Sequence, residues 1–286
     1  MVRNTLLDAS EVPYARPANF QPASTYIRTA TCTALDEAIV VARASGTRLV
    51  ILSGPSGSSK TFAARHAAQR LGLRQFLVEI SAATAAEDLL ERPWTTAAGR
   101  LVWVEQAVLR AAREGAVVVL DEFDLASPKL LGRLHGLFDT HGSVRLASGE
   151  ELVPHPDFLV LACCNGLRRD TGGAYSVQLI SSAFLGRAVF VAGDFLSEAD
   201  EVSIYTAAGY AKETATQVYK ALYALRGQFK LGAFTVPPSP RMGLRVLAAL
   251  KSGLSAERAW SLALCDGLDE ETKKVVVTCL SASSHL

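Results

Sequence analysis

Two short stretches of this chain combine residue types that can bind phosphate and move a proton. The first is Gly54-Pro55-Ser56-Gly57-Ser58-Ser59-Lys60-Thr61, followed by Phe62. Gly54 and Gly57 let the backbone turn tightly enough for successive N–H groups to point at an anion. Lys60 would meet the β and γ phosphates as a point charge, and the Thr61 hydroxyl would ligate Mg²⁺. The order follows the phosphate-binding pattern G-x-x-x-x-G-K-[ST] with one departure, because Ser59 stands where the pattern has its second glycine. A Cβ there narrows the room between backbone and phosphate. The second stretch is Asp121-Glu122-Phe123-Asp124. Asp121 would hold Mg²⁺ through its water shell, while Glu122 would orient and polarise an attacking water. Asn165, an amide after an apolar run, could hydrogen-bond that water or the γ-phosphate.

Each of these groups needs an element to aim it. The apolar residues 49–53 predict a buried strand running into the glycine loop, and residues 61–71 predict the helix whose positive end would face the anion. Residues 116–120 read as a strand buried on both faces, which delivers Asp121 and Glu122 to the C-terminal edge of a parallel sheet, where ligands bind. Residues 75–80 and 158–164 predict two more strands, the latter ending at Asn165. An isolated Asp-Glu pair is ordinarily an acidic turn; downstream of a phosphate loop and after a buried strand it reads as a metal and water site.

Between these elements the spacing predicts helices over 34–44 and 82–90, an irregular insertion over 91–99 containing Pro93 and Gly99, and a further helix over 104–113. Ser127 and Pro128 start a helix as cap and first-turn proline, and residues 144–146 and 151–153 predict a hairpin. Beyond residue 196 the reading is helical throughout: 197–208, 213–228, 240–250, 256–265 and 270–280. Lys212, Lys220 and Lys230 are spread along this region rather than clustered, as on a solvated face. Residues 1–33, with Pro13, Pro17 and Pro22, read as an extended arm.

The composition fits a globular protein: 286 residues, 49% hydrophobic and 20% charged. A formal net charge of +1 gives no general field for nucleic acid. Five cysteines, odd in number and without C-x-x-C spacing, speak against a disulfide or zinc framework and for a reducing cytoplasm. No signal core or membrane-length apolar run is legible, so membrane insertion is not expected.

The ordered set of motifs carries a family resemblance. The loop 54–61, the strand ending Asp121-Glu122-Phe123-Asp124, a hairpin ending His155-Pro156-Asp157-Phe158, and the strand leading into Asn165 resemble the AAA+ ATPases of the MoxR-like branch. The stretches 165–175 and 182–187 are most similar to the CobS-type cobaltochelatase ATPase subunit. The resemblance covers roughly residues 34–245. It implies an α/β P-loop AAA+ three-layer core with a five-stranded parallel sheet over residues 34–195, followed by a smaller all-α lid domain over 196–286. It also implies a homo-oligomeric ring, usually a hexamer, with ATP and Mg²⁺ between neighbours. Carried over by position, Asn165 matches sensor 1, Arg187 the arginine finger offered to the next subunit, and Arg241 sensor 2; Arg168 and Arg169 compete for the finger role. The family follows its finger with an aromatic residue, whereas this chain has Ala188. The residues before Trp103 match a helix-2 insert and residues 144–153 a pre-sensor hairpin, both facing the central channel or a partner.

These readings converge on an Mg²⁺-dependent ATPase that remodels a protein partner, by family analogy one with a von Willebrand factor A domain. Two alternatives stay open: an ATP-dependent assembly scaffold with little hydrolysis, to which Ser59 points, and a nucleic-acid motor, which the balanced charge disfavours.

Overall fold

The computed structural model describes residues 27–166 and 182–282. Most of the arm, together with Arg168 and Arg169, lies outside the described residues. The first helix, α1 (Ala30–Ser45), starts earlier than its periodicity implied and takes in the end of the expected arm. It stops at Gly46, whose φ of +72° is the left-handed cap conformation that glycine adopts without strain.

β1 (Leu49–Ser53) runs from there into the glycine loop and α2 (Lys60–Arg70). β2 (Gln75–Glu79), β5 (Val117–Asp121), β8 (Leu159–Cys164) and β9 (Ala188–Ala192) complete a five-stranded sheet in the order β2-β5-β8-β1-β9, with every pairing parallel. Alternation along the strands feeds two cores. Val117, Val119, Val50 and Leu52 pack with Leu35, Ile39 and Ala63 from α1 and α2. Val118, Leu120, Leu49 and Ile51 pack on the other face with α3 (Ala107–Glu114) and α4 (Pro128–Phe138), through Val108, Leu109 and Leu134. Strands covered on both faces are continuous apolar runs, as in these segments. The result is the expected three-layer α/β core.

α4 begins as its sequence dictates, with the Ser127 hydroxyl accepting from the Leu130 N–H and Pro128 in the first turn. The expected hairpin is also present, β6 (Val144–Arg145) against β7 (Glu151–Leu152).

Three local expectations are corrected. The helix over 82–90 is a single 3₁₀ turn, Ala86–Asp88. The insertion over 91–99 and the first turn of the helix expected over 104–113 are instead an antiparallel ribbon, β3 (Glu91–Thr95) with β4 (Leu101–Glu105). Thr, Trp and Val are better suited to a pleated surface than to a helix, and Pro93 is tolerated because a two-stranded ribbon has no central strand. β9 went unread because five apolar residues between Arg187 and Gly193 carry no punctuation of their own.

From Glu198 onward the chain is helical: α6 (Glu198–Ala207), α7 (Lys212–Lys230), α8 (Pro240–Lys251), α9 (Ala256–Ala263) and α10 (Glu270–Ala282), after a short α5 (Ser182–Leu185) before β9. They share a separate core around Tyr205, Leu222, Leu225, Val246 and Trp260. No described helix is long and apolar enough to cross a membrane.

Candidate functional site

β1, β5 and β8 end side by side, and their C-terminal ends bring the sequence-distant candidates together. The loop after β1 reaches Ser59, whose φ of +65° and ψ of +17° place it in the left-handed region. Glu122, at φ +53°, is the other non-glycine residue with positive φ among the described residues. Both sit at this site. Such conformations cost of order 1–2 kcal/mol each for a residue with a Cβ, and they persist where the surroundings fix them.

Lys60 is buried, and its ammonium folds back over the loop, donating to the carbonyls of Gly54 at 2.8 Å and Pro55 at 2.9 Å. It also reaches Asn165 Oδ1 at 3.3 Å. The Asn165 amide donates in turn to Glu122 Oε2 at 2.7 Å. The Thr61 hydroxyl lies 2.9 Å and 3.0 Å from the two oxygens of Asp121. Cation, amide and both carboxylates therefore form one connected cluster within a single chain.

Burial sets the electrostatics. It lowers the Lys60 pKa, against the pull of surrounding acids that include Asp121 and Glu122. It raises that of Glu122, helped by the neighbouring charges of Asp124 and Asp121. Asp124, only 2% exposed, is raised for the same first reason, with the nearby Asn165 backbone N–H pulling the other way. No role was read for Asp124 from the sequence, although a further acid two residues after Glu122 was a signal that could have raised one.

The cluster opens into a cleft of about 650 Å³. Ser56, Gly57, Ser59, Lys60, Thr61 and Phe62 floor it, and Arg241 with Leu244 from α8, Ile204 from α6, Leu196 and Ile27 wall it. These apolar walls were not foreseen, because each is one residue of an ordinary helix or connector. Arg241 is thus among the residues that line the cleft. Pro55 and Ser58 contribute to the turn rather than the wall, Ser58 being fully buried. A Cβ on Gly57 would stand 2.6 Å from Ser239 Cβ, and one on Gly54 would stand 2.3 Å from the Gly193 carbonyl oxygen. The loop is therefore clasped between the start of α8 and the connector leaving β9.

Arg187 is not brought into this cleft. It precedes β9, at the opposite end of the sheet, and pairs with Asp139 at 3.1 Å. In its own chain it is out of reach of Lys60.

The donor set suits a nucleotide with a hard divalent cation. A hydroxyl beside a carboxylate matches the oxygen ligation that Mg²⁺ prefers, and a lysine over backbone carbonyls at a helix N-terminus is a ready anion site. Among the described residues no cluster of three or more His, Cys, Asp or Glu offers another metal site.

The chain is similar to several known proteins. Residues 49–188 match the family model for the AAA domain (dynein-related subfamily). Protein NorQ of Paracoccus denitrificans is 27% identical over 241 residues, covering 83% of this chain and 87% of NorQ. Midasin of Dictyostelium discoideum is 32% identical over 117 residues, 41% of this chain and 2% of midasin. A crystal structure from Cytophaga hutchinsonii covers 89% of this chain and 90% of its own at 13% identity, with a TM-score of 0.48.

Proposed function

We propose that this chain, which carries an AAA domain over residues 49–188, is an ATP hydrolase of the MoxR-like AAA+ kind. Residues 34–195 would form the nucleotide-binding domain and residues 196–286 a lid over it. The observation that carries the reading is the chain of contacts Lys60–Asn165–Glu122 beside the Thr61–Asp121 pair at the mouth of the cleft.

Lys60 would exchange its loop carbonyls for phosphate oxygens, helped by the N–H groups at the start of α2. Asn165 orients Glu122, whose carboxylate accepts the proton of a water as that water's oxygen bonds to the γ-phosphorus. The bond from phosphorus to the bridging oxygen breaks, leaving ADP and phosphate. Mg²⁺, for which Thr61 and Asp121 supply the ligands, would neutralise phosphate charge when bound. Arg241 reaches the same cleft and would sense the γ-phosphate from the lid side. Arg187 fits a role only toward a neighbouring subunit, which supports a ring with shared sites; in that role a finger contributes on the order of 10³ to 10⁵ in rate.

The finer parts of the proposal are a hexameric cytoplasmic ring and a remodelled protein partner carrying a von Willebrand factor A domain. The CobS-type likeness rests on residues 165–175 and 182–187 alone. Ser59 holds a left-handed backbone that a glycine would adopt without strain, so the loop turns here despite the serine's Cβ. This favours turnover over an assembly scaffold.

ATP turnover per subunit, measured with Mg²⁺ as protein concentration rises, tests the reading. Specific activity is expected to climb with concentration, Glu122→Gln to bind ATP without cleaving it, and Arg187→Ala to lose turnover. A parent that assembles on ATP yet turns over no faster than Glu122→Gln would sink it.

A further inference from the structure

The helical region buries an arginine that no phosphate chemistry requires. The Arg226 side chain is 4% exposed and pairs with Glu201, 0% exposed, at 2.8 Å. Its Nε donates to the Pro238 carbonyl at 2.9 Å and its Nη2 to Glu201 Oε1 at 2.9 Å. The guanidinium carbon stacks 4.7 Å from the centre of the Phe195 ring. Tyr205 donates to the same Glu201 carboxylate, and its hydroxyl lies 3.3 Å from the Pro240 carbonyl. A Cβ on Gly243 would fall 2.0 Å from that hydroxyl, so α8 can approach Tyr205 this closely only with glycine there.

The network thus grips two segments far apart in sequence, the connector at Phe195 and the stretch from Pro238 to Gly243 that leads into α8 and forms its first turn. The cleft residues Leu196 and Arg241 are the immediate chain neighbours of Phe195 and Pro240. The same two segments clasp the phosphate loop, at Gly193 against Gly54 and at Ser239 against Gly57. Buried ion pairs add little net stability compared with apolar residues of similar volume, so stability alone does not account for this one. Guanidinium geometry does: a planar fork can hold a carboxylate and a carbonyl at fixed angles while its face stacks on an aromatic ring.

We infer that Arg226, clamped by Glu201, is a positioning residue that fixes the connector and the start of α8 so that Arg241 meets the nucleotide's terminal phosphate. The inference rests on the ATP-site reading of Arg241.

The test compares ATP and ADP affinity, by titration with fluorescent nucleotide analogues, for the parent, Arg226→Lys, Arg241→Ala and the combination, with thermal melting alongside. The double replacement Glu201→Leu with Arg226→Met removes both charges together and is expected to melt no lower than the parent. It and Arg226→Lys should each weaken ATP binding by about tenfold or more, as small misplacements of a binding group do, and should erode the preference for ATP over ADP. A purely structural pair would change melting and leave that preference alone. In the Arg241→Ala background, Arg226→Lys should add little. Unchanged ATP preference in Arg226→Lys, or a full additional loss in the Arg241→Ala background, overturns the inference. A parent that binds no nucleotide overturns the site reading instead.

Discussion

Ser59 and Glu122 carry the backbone strain of this site, and each yields a prediction. Ser59 holds a conformation glycine takes freely, so Ser59→Gly should stabilise the chain by about 1 kcal/mol, roughly 2–4 °C in melting temperature, with turnover at or above the parent's. Ser59→Ala keeps the strain and should melt as the parent does; a lower melting point for Ser59→Gly would refute the strain argument. Glu122 has its folded-state pKa raised, first by burial and then by Asp124 and Asp121. Its ionised form therefore costs stability at neutral pH, and the cost vanishes below the unfolded-state value, where both states are protonated. Glu122→Gln should melt higher than the parent at neutral pH, with the gap closing as the solution approaches about pH 4. A gap independent of pH would show that charge burial is not its source. The chemistry of these residues was legible because residue type and order specify it; their strained backbone was not, since neither is a glycine. Asp124 stayed unread because a buried carboxylate looks, in sequence, like any acid in a turn.

At the scale of elements, the strands around the loop announced themselves by unbroken apolar runs, and α4 by the serine cap that the structure repeats at Ser127; α6 and α9 carry the same kind of cap at Ser197 and Ser255. The β3–β4 ribbon was missed because Pro93 and Gly99 mask a pairing that exists only once both strands are placed. The clasp on the phosphate loop was equally hidden, because the closeness of Gly57 to Ser239 joins residues far apart in sequence. Two glycines separate clasp from turn. Gly57, at φ +82°, has Ser239 and Pro240 against it; Gly72, at φ +66°, has nothing within 4 Å. Both alanine variants should lose about 1 kcal/mol to backbone strain, but only Gly57→Ala should weaken ATP binding, by tenfold or more on the scale of misplaced binding groups. Equal affinities in a nucleotide titration would dissolve the clasp.

For the whole molecule, the separation of Arg187 from Lys60 makes the decisive comparison one between subunits. If Arg187 is the proposed finger, Lys60→Ala and Arg187→Ala should each lack turnover alone, yet a mixture should regain part of it, because some interfaces of the proposed ring would pair an intact cleft with an intact Arg187. A mixture as inactive as its components would confine Arg187 to its ion pair with Asp139. The strand between the two ends gives this arrangement a mechanical meaning. β9 has Arg187 before its first residue and Gly193 after its last, and it is bonded along its length to β1. At about 3.3 Å per residue, it is a rod of roughly 17 Å that cannot shorten without breaking the sheet. In the proposed ring, a push on the arginine from a neighbouring subunit would emerge at the glycine that touches Gly54, so one subunit's phosphate state would be delivered as displacement to the next subunit's loop.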